Sequence, residues 1–205
     1  MSSRLFPIFL DLSGRDVLIG GAGNVALQKA RPLIEAGARL TLIAPDIHPE
    51  LRALMLRHPE QIIYKARRLR QGDLRRRDLV ILATDDHALH RRLSQRAREW
   101  GVWLNAVDEP ENCAFYSAAI VERGPVRIAV SSSGQLPGLS SALRKTLEAL
   151  LPSQDLRAWE SLALLRHGLR EALPEPTQRS ALLKRLFSEI ERDYFGLRPA
   201  QGAQS

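Results

Sequence analysis

The sequence predicts an α/β fold: an N-terminal parallel sheet, then a β-hairpin, then a small helical part. Three observations predict it. Over residues 15–107 short apolar runs alternate with helix-like stretches. A glycine cluster stands between the first apolar run and the first helical one. After residue 113 the alternation stops, and two short strands surround a Gly-Pro turn before helical periodicity takes over. With 205 residues, 44% of them hydrophobic, the chain can bury a core and fill one or two domains.

Asp16-Val17-Leu18-Ile19 ends in glycines and reads as a buried parallel strand. Asn24 to Ala36 is helical and stops at Gly37, with Pro32 inside it predicting a kink. Arg39–Ala44 is a second strand, Gln61–Ala66 a third and Leu79–Thr84 a fourth. Asp86 to Trp100 is a helix closed by Gly101, and Val102–Val107 a fifth strand. Short βα connections of this kind imply right-handed crossovers in one parallel sheet. Phe115–Val121 and Val126–Val130, joined by Glu122-Arg123-Gly124-Pro125, form a hairpin. A helix is expected from about Gly138 to Leu151, then two amphipathic helices over 155–173 and 177–195 and a frayed tail from Arg198.

The net charge is +7, and most of it is local. Residues 61–77 hold Lys65, Arg67, Arg68, Arg70, Arg75, Arg76 and Arg77 against Asp73 alone. Only Tyr64 is aromatic there, so no base-stacking platform is present, and no nucleic-acid-binding signature accompanies the charge. A solvated loop and helix face is the expected meaning. The single Cys113 excludes an intrachain disulfide or cysteine zinc site. No signal peptide and no apolar run of about 18 residues is found, so a cytoplasmic protein without membrane contact is expected. His48, His58, His87, His90 and His167 are scattered. His87 and His90 share a helix face, but no third ligand is apparent beside them, and no protein-held metal is expected.

Four segments carry chemistry. Gly21, Gly23 and Ala26 fit G-x-G-x-x-A within Gly20-Gly21-Ala22-Gly23-Asn24-Val25-Ala26, after a strand and at a helix start. Small residues there permit a tight turn and let backbone N–H groups approach a pyrophosphate, as in a Rossmann-type dinucleotide site. The ribose partner belongs at the second strand tip, Ala44-Pro45-Asp46. Either Asp46 or backbone groups serve, while Arg67 and Arg68 stand where a 2′-phosphate would be met, so NAD and NADP both remain open. Thr84-Asp85-Asp86 ends the fourth strand, where open α/β sheets bind ligands, and also supplies a helix cap. Asp108, after Asn105 at the end of the fifth strand, can take or guide a proton while hydride leaves a substrate. Ser131-Ser132-Ser133-Gly134 is a polar lining or a flexible linker with a cap.

In order, several segments resemble the precorrin-2 dehydrogenase / sirohydrochlorin ferrochelatase family, the dehydrogenase–chelatase module of sirohaem synthase. They are Phe6–Leu12 leading to Val17–Ala26, Lys29-Ala30-Arg31, Leu33–Ala38, Ala83–Asp86, Asn105–Asp108, Cys113-Ala114-Phe115, Ala119–Pro125 and Val130-Ser131-Ser132. The resemblance implies an NAD-binding Rossmann domain over 1–113, a hairpin and helix for dimerisation and pocket over 114–151, a helical domain over 152–198 and a flexible tail over 199–205. It implies NAD⁺-dependent oxidation of precorrin-2 to sirohydrochlorin, ferrous iron insertion in some members, and a homodimer. The family's catalytic aspartate falls on Asp108. Its cofactor contacts fall on Gly21, Ala22, Gly23, Asn24, Val25, Pro45 and Asp46, with Thr84 and Asp85 beside them. Its substrate pocket takes in Asn105 and Ser131 or Ser132. Departures cluster at Ala118, Ser133, Leu136, Gly138 and Ser140, on the substrate side. Chelation without a redox step, and a non-catalytic tetrapyrrole- or NAD-binding module, are the alternatives. No uroporphyrinogen methyltransferase domain follows, so precorrin-2 is expected from another protein.

Overall fold

The computed structural model describes residues 5–151, 164–165, 168–169, 172–173 and 175–195. Most of the helix expected over 155–173 and the whole tail over 199–205 lie outside the described residues. The described residues form two compact units. One runs to Ala118 and resumes at Ser131–Ser140; the other holds Ala119–Val130 and the residues from Ser141 onward.

The first unit is built on five parallel strands: β1 (Asp16–Gly20), β2 (Arg39–Ala44), β3 (Ile62–Ala66), β4 (Leu79–Leu82) and β5 (Trp103–Ala106). Their order is β3-β2-β1-β4-β5. Successive residues of a strand face opposite sides, so β1 feeds two cores. Val17 and Ile19 join Leu40, Leu42, Leu79 and Ile81 under helices α1 (Asn24–Glu35) and α2 (Pro49–Arg57). Leu18 joins Ile43, Val80, Leu82 and Leu104 under helix α3 (His87–Glu99). Because both faces are covered at β1 and β4, these central strands read as apolar runs, whereas the edge strand β3 is buried only at Ile62. Thr41 is the buried polar residue of β2; its hydroxyl accepts from Arg77 Nη1 at 3.1 Å.

Helix α2 is not anticipated by the sequence reading. Pro45, His48 and Pro49 look like loop punctuation, yet Pro49 sits in the first turn and His48 caps it, its Nδ1 accepting from Glu50 N. Proline is tolerated there because that N–H has no helical partner. Helix α1 stays unbroken through the exposed Pro32 to Glu35.

In the second unit, β6 (Ala119–Arg123) pairs antiparallel with β7 (Val126–Val130). The first hairpin strand begins at Ala119, not Phe115. Backbone and side-chain bonds hold the preceding residues in the first unit: Ala114 N donates to Leu104 O, and Asn105 Nδ2 to Phe115 O. Helices α4 (Pro137–Leu150) and α5 (Pro176–Phe195) follow. Arg123 donates to the Glu148 and Leu151 carbonyls at 2.8 and 3.0 Å, satisfying acceptors that the end of α4 leaves open. Among the described residues no helix is long and apolar enough to cross a membrane.

Candidate functional site

The strand order reverses between β1 and β4, which diverge into loops at their carboxyl ends. A crevice at such a reversal is where open parallel sheets bind ligands. The glycine turn lies there. Gly21 has φ +112°, and a Cβ on it would stand 2.2 Å from the Ala83 carbonyl oxygen. Its N–H donates to Ile43 O, and Ala22 O accepts from His48 N. The fold itself therefore requires glycine at 21.

Gly23 is different. It precedes α1 with φ −90°, and a Cβ there would meet nothing within 4 Å. No side chain caps α1 at Gly23, and its first turn holds no acid. Gly23, Asn24 and Val25 are exposed. The helix start thus offers N–H groups without a side-chain cap and open space above Gly23, which suits a pyrophosphate. Pro45 and Asp46 are exposed just past β2. Tyr64 fixes that tip by donating from its hydroxyl to the Ala44 and Pro45 carbonyls, both at 3.0 Å. Thr84 approaches the turn, its Cγ2 lying 3.3 Å from the same Cβ position on Gly21, while Asp85 is exposed. Asp86 caps α3 by accepting from Leu89 N at 2.8 Å. Arg67 is committed to Asp73 through two bonds.

Asp108 is exposed after β5 in left-handed backbone, φ +63°. Asn105 is buried, and its amide donates to Phe115 O and Cys113 Sγ, tying the strand to the segment beyond Asp108. Ser131 and Ser132 organise their own turn: Ser131 Oγ accepts from Ser133 N and Ser132 Oγ from Leu136 N. Gly134 (φ +76°) packs so close to the Tyr116 ring that a Cβ would stand 2.7 Å from it.

A polar cluster escaped the sequence reading. His87 and His90 do have a third neighbour: Glu109, buried, takes both Nδ1 atoms on its Oε1, that of His90 at 2.8 Å. Its Oε2 accepts from Asn112 Nδ2, and Asn112 Oδ1 from Ser94 Oγ at 3.0 Å. His90 Nε2 lies 2.9 Å from Thr84 Oγ1. Burial pushes the Glu109 carboxyl up, but hydrogen bonds from His87, Asn112 and His90 outweigh it and bring it down to about 2. Nineteen residues separate His90 from Glu109; the packing of α3 against β5 and the turn after it unites them, so no local spacing announced the cluster.

A parallel sheet carrying a glycine turn and an uncapped helix start at its reversal defines a dinucleotide-binding domain. The chain belongs to the NAD_binding_7 family, described as “Putative NAD(P)-binding”, whose model matches residues 8–119. It is 39% identical over 196 residues to a siroheme synthase of Pseudomonas aeruginosa, covering 95% of this chain and 42% of that one. It is 38% identical over 180 residues to a siroheme synthase of Nitrosomonas europaea, covering 88% and 38%. The chain thus spans about two fifths of the length of these relatives. In structure it is similar to “SirC, precorrin-2 dehydrogenase”, with a TM-score of 0.78, 22% identity and coverage of 95% and 93%. That likeness shows the shared fold.

Proposed function

We propose that the chain oxidises precorrin-2 to sirohydrochlorin with NAD⁺ and works as a homodimer, with ferrous iron as a substrate for insertion afterwards. The observation that carries this reading is the glycine turn that packs on the end of β4 at Gly21 and opens α1 without a side-chain cap, with Asp108 exposed after β5 at the same carboxyl edge of the parallel sheet. The likeness to siroheme synthases over nearly the whole chain supports the substrate.

Ala22 to Val25 would hold the pyrophosphate through backbone N–H groups, with Gly21 shaping the turn, and Pro45 and Asp46 would meet the ribose. NAD⁺ supplies a hydride acceptor there. Oxidation removes one hydride and one proton from the macrocycle, and Asp108 accepts or guides that proton. Ser131 and Ser132 are proposed to contribute to the pocket, with Asn105 holding the segment that follows Asp108.

The test is an anaerobic spectrum of the protein with fresh precorrin-2. The sirohydrochlorin spectrum is expected to grow only with NAD⁺, and to shift on ferrous iron faster than without enzyme. No oxidation with either NAD⁺ or NADP⁺ overturns the dehydrogenase reading. Asp108→Ala and Asp108→Asn should both lose turnover and keep NAD⁺ binding. The asparagine tolerates φ near +60°, so it separates loss of charge from backbone strain. Analytical ultracentrifugation checks the dimer.

A further inference from the structure

We propose that His87, His90 and Glu109 form a binding site for one divalent first-row transition ion, of the Zn²⁺ or Co²⁺ class. The two Nδ1 atoms both meet Glu109 Oε1, and one ligand atom from each of the three residues lies within 4.8 Å of the others. The proposal is independent of the dehydrogenase reading, since it concerns side chains that the dinucleotide turn does not use.

The donor set carries the argument first. Two imidazoles and one carboxylate are borderline ligands that suit zinc, cobalt, iron or nickel and disfavour magnesium and calcium, which take oxygen cages. In a tetrahedral set with bonds of about 2.0–2.1 Å, ligand atoms stand about 3.3 Å apart. The 2.8 Å separation of His90 Nδ1 from Glu109 Oε1 has to open by roughly half an ångström, a shift within the reach of side-chain rotation.

The surroundings carry it second. Metal-binding imidazoles usually donate their other ring nitrogen to a fixed acceptor, which sets the tautomer. Here Thr84 Oγ1 stands 2.9 Å from His90 Nε2, so when an ion takes the place of the proton that Nδ1 shares with Glu109, Nε2–H can donate to Thr84 while the Nδ1 lone pair meets the ion. Glu109 is itself oriented by Asn112, and Asn112 by Ser94. These partners hold His90 and Glu109 nearly inaccessible, with side chains 1% and 8% exposed, whereas His87 is 69% exposed. Two ligands are therefore pre-set and the third is a hinged outer wall. Three protein ligands leave a coordination position for water or a second ligand, so the ion is exchangeable.

The probe is Co²⁺, titrated into the full chain and read by its visible ligand-field absorption and by cobalt retained after desalting. One cobalt per chain with a tetrahedral-type band is expected. His87→Ala and Glu109→Gln should each lower the affinity at least tenfold, while His58→Ala, away from the cluster, changes nothing. Zn²⁺ should displace cobalt and Mg²⁺ should not. His87 is exposed, so its variant tests the site even if a change at Glu109 impairs folding. Absence of the band, or a band that survives His87→Ala, overturns the proposal and leaves the cluster as a hydrogen-bonded brace.

Discussion

Two glycines two residues apart do different work. At Gly21 the constraint is internal: φ +112° and the Ala83 carbonyl both exclude a side chain. At Gly23 the backbone is ordinary and the space is open, so the fold imposes no such constraint, and the proposed pyrophosphate is what would require glycine there. Gly21→Ala should therefore destabilise the protein by roughly 2 kcal/mol or more, through positive φ and the clash. Gly23→Ala should change stability by less than about 0.5 kcal/mol while weakening NAD⁺ at least tenfold. Thermal melts and NAD⁺ titrations of both variants read the contrast. Equal affinity in Gly23→Ala and the parent would mean the pyrophosphate lies elsewhere.

Among the elements, the strands were legible because burial on two faces writes an uninterrupted apolar run, and β2 over Arg39–Ala44 matches its expected limits. The glycine turn was legible because its chemistry is local in sequence. Helix α2 was not, since its amphipathic signal is short and its start is crowded with residues that also make loops. Glu109 was not either, because its partners come from another element. The turn at Gln71–Leu74, between β3 and β4, shows a further tertiary effect inside the arginine-rich segment. Asp73 accepts from both Arg67 nitrogens and from Arg70 N at 2.8 Å, and these, led by the Arg67 guanidinium, hold its carboxyl below the usual range against the opposing effect of burial. A carboxyl lowered by folding adds stability that is complete above its unfolded value near 3.9 and fades as pH falls through the lower folded one. Asp73→Asn should cost about 1 kcal/mol at neutral pH and flatten the stability–pH curve below pH ~4. Urea midpoints at a series of pH values check it; an unchanged slope in the acid range would remove Asp73 from acid unfolding.

For the molecule as a whole, part of the +7 charge is engaged within the protein. Arg67 is tied to Asp73, Arg77 to Thr41, and Arg75 lies 4.7 Å above the Trp100 ring. Without stacking aromatics, what remains is a diffuse field, so retention on DNA or RNA should vanish at ~0.15 M salt. Retention there would assign the segment a second role. The chain leaves its first unit at Ala118 and returns to it at Ser131, carrying the β6–β7 hairpin as an excursion. During synthesis the five-stranded sheet can form as soon as β5 emerges, but Tyr116 waits for Gly134 to cover its ring. A truncation at the end of the hairpin's first strand would therefore strip the first unit of its last-made piece, Ser131–Ser140. Conversely, a protease nick at Gly124-Pro125 would leave each fragment holding part of the first unit, so the nicked halves should stay together until denatured.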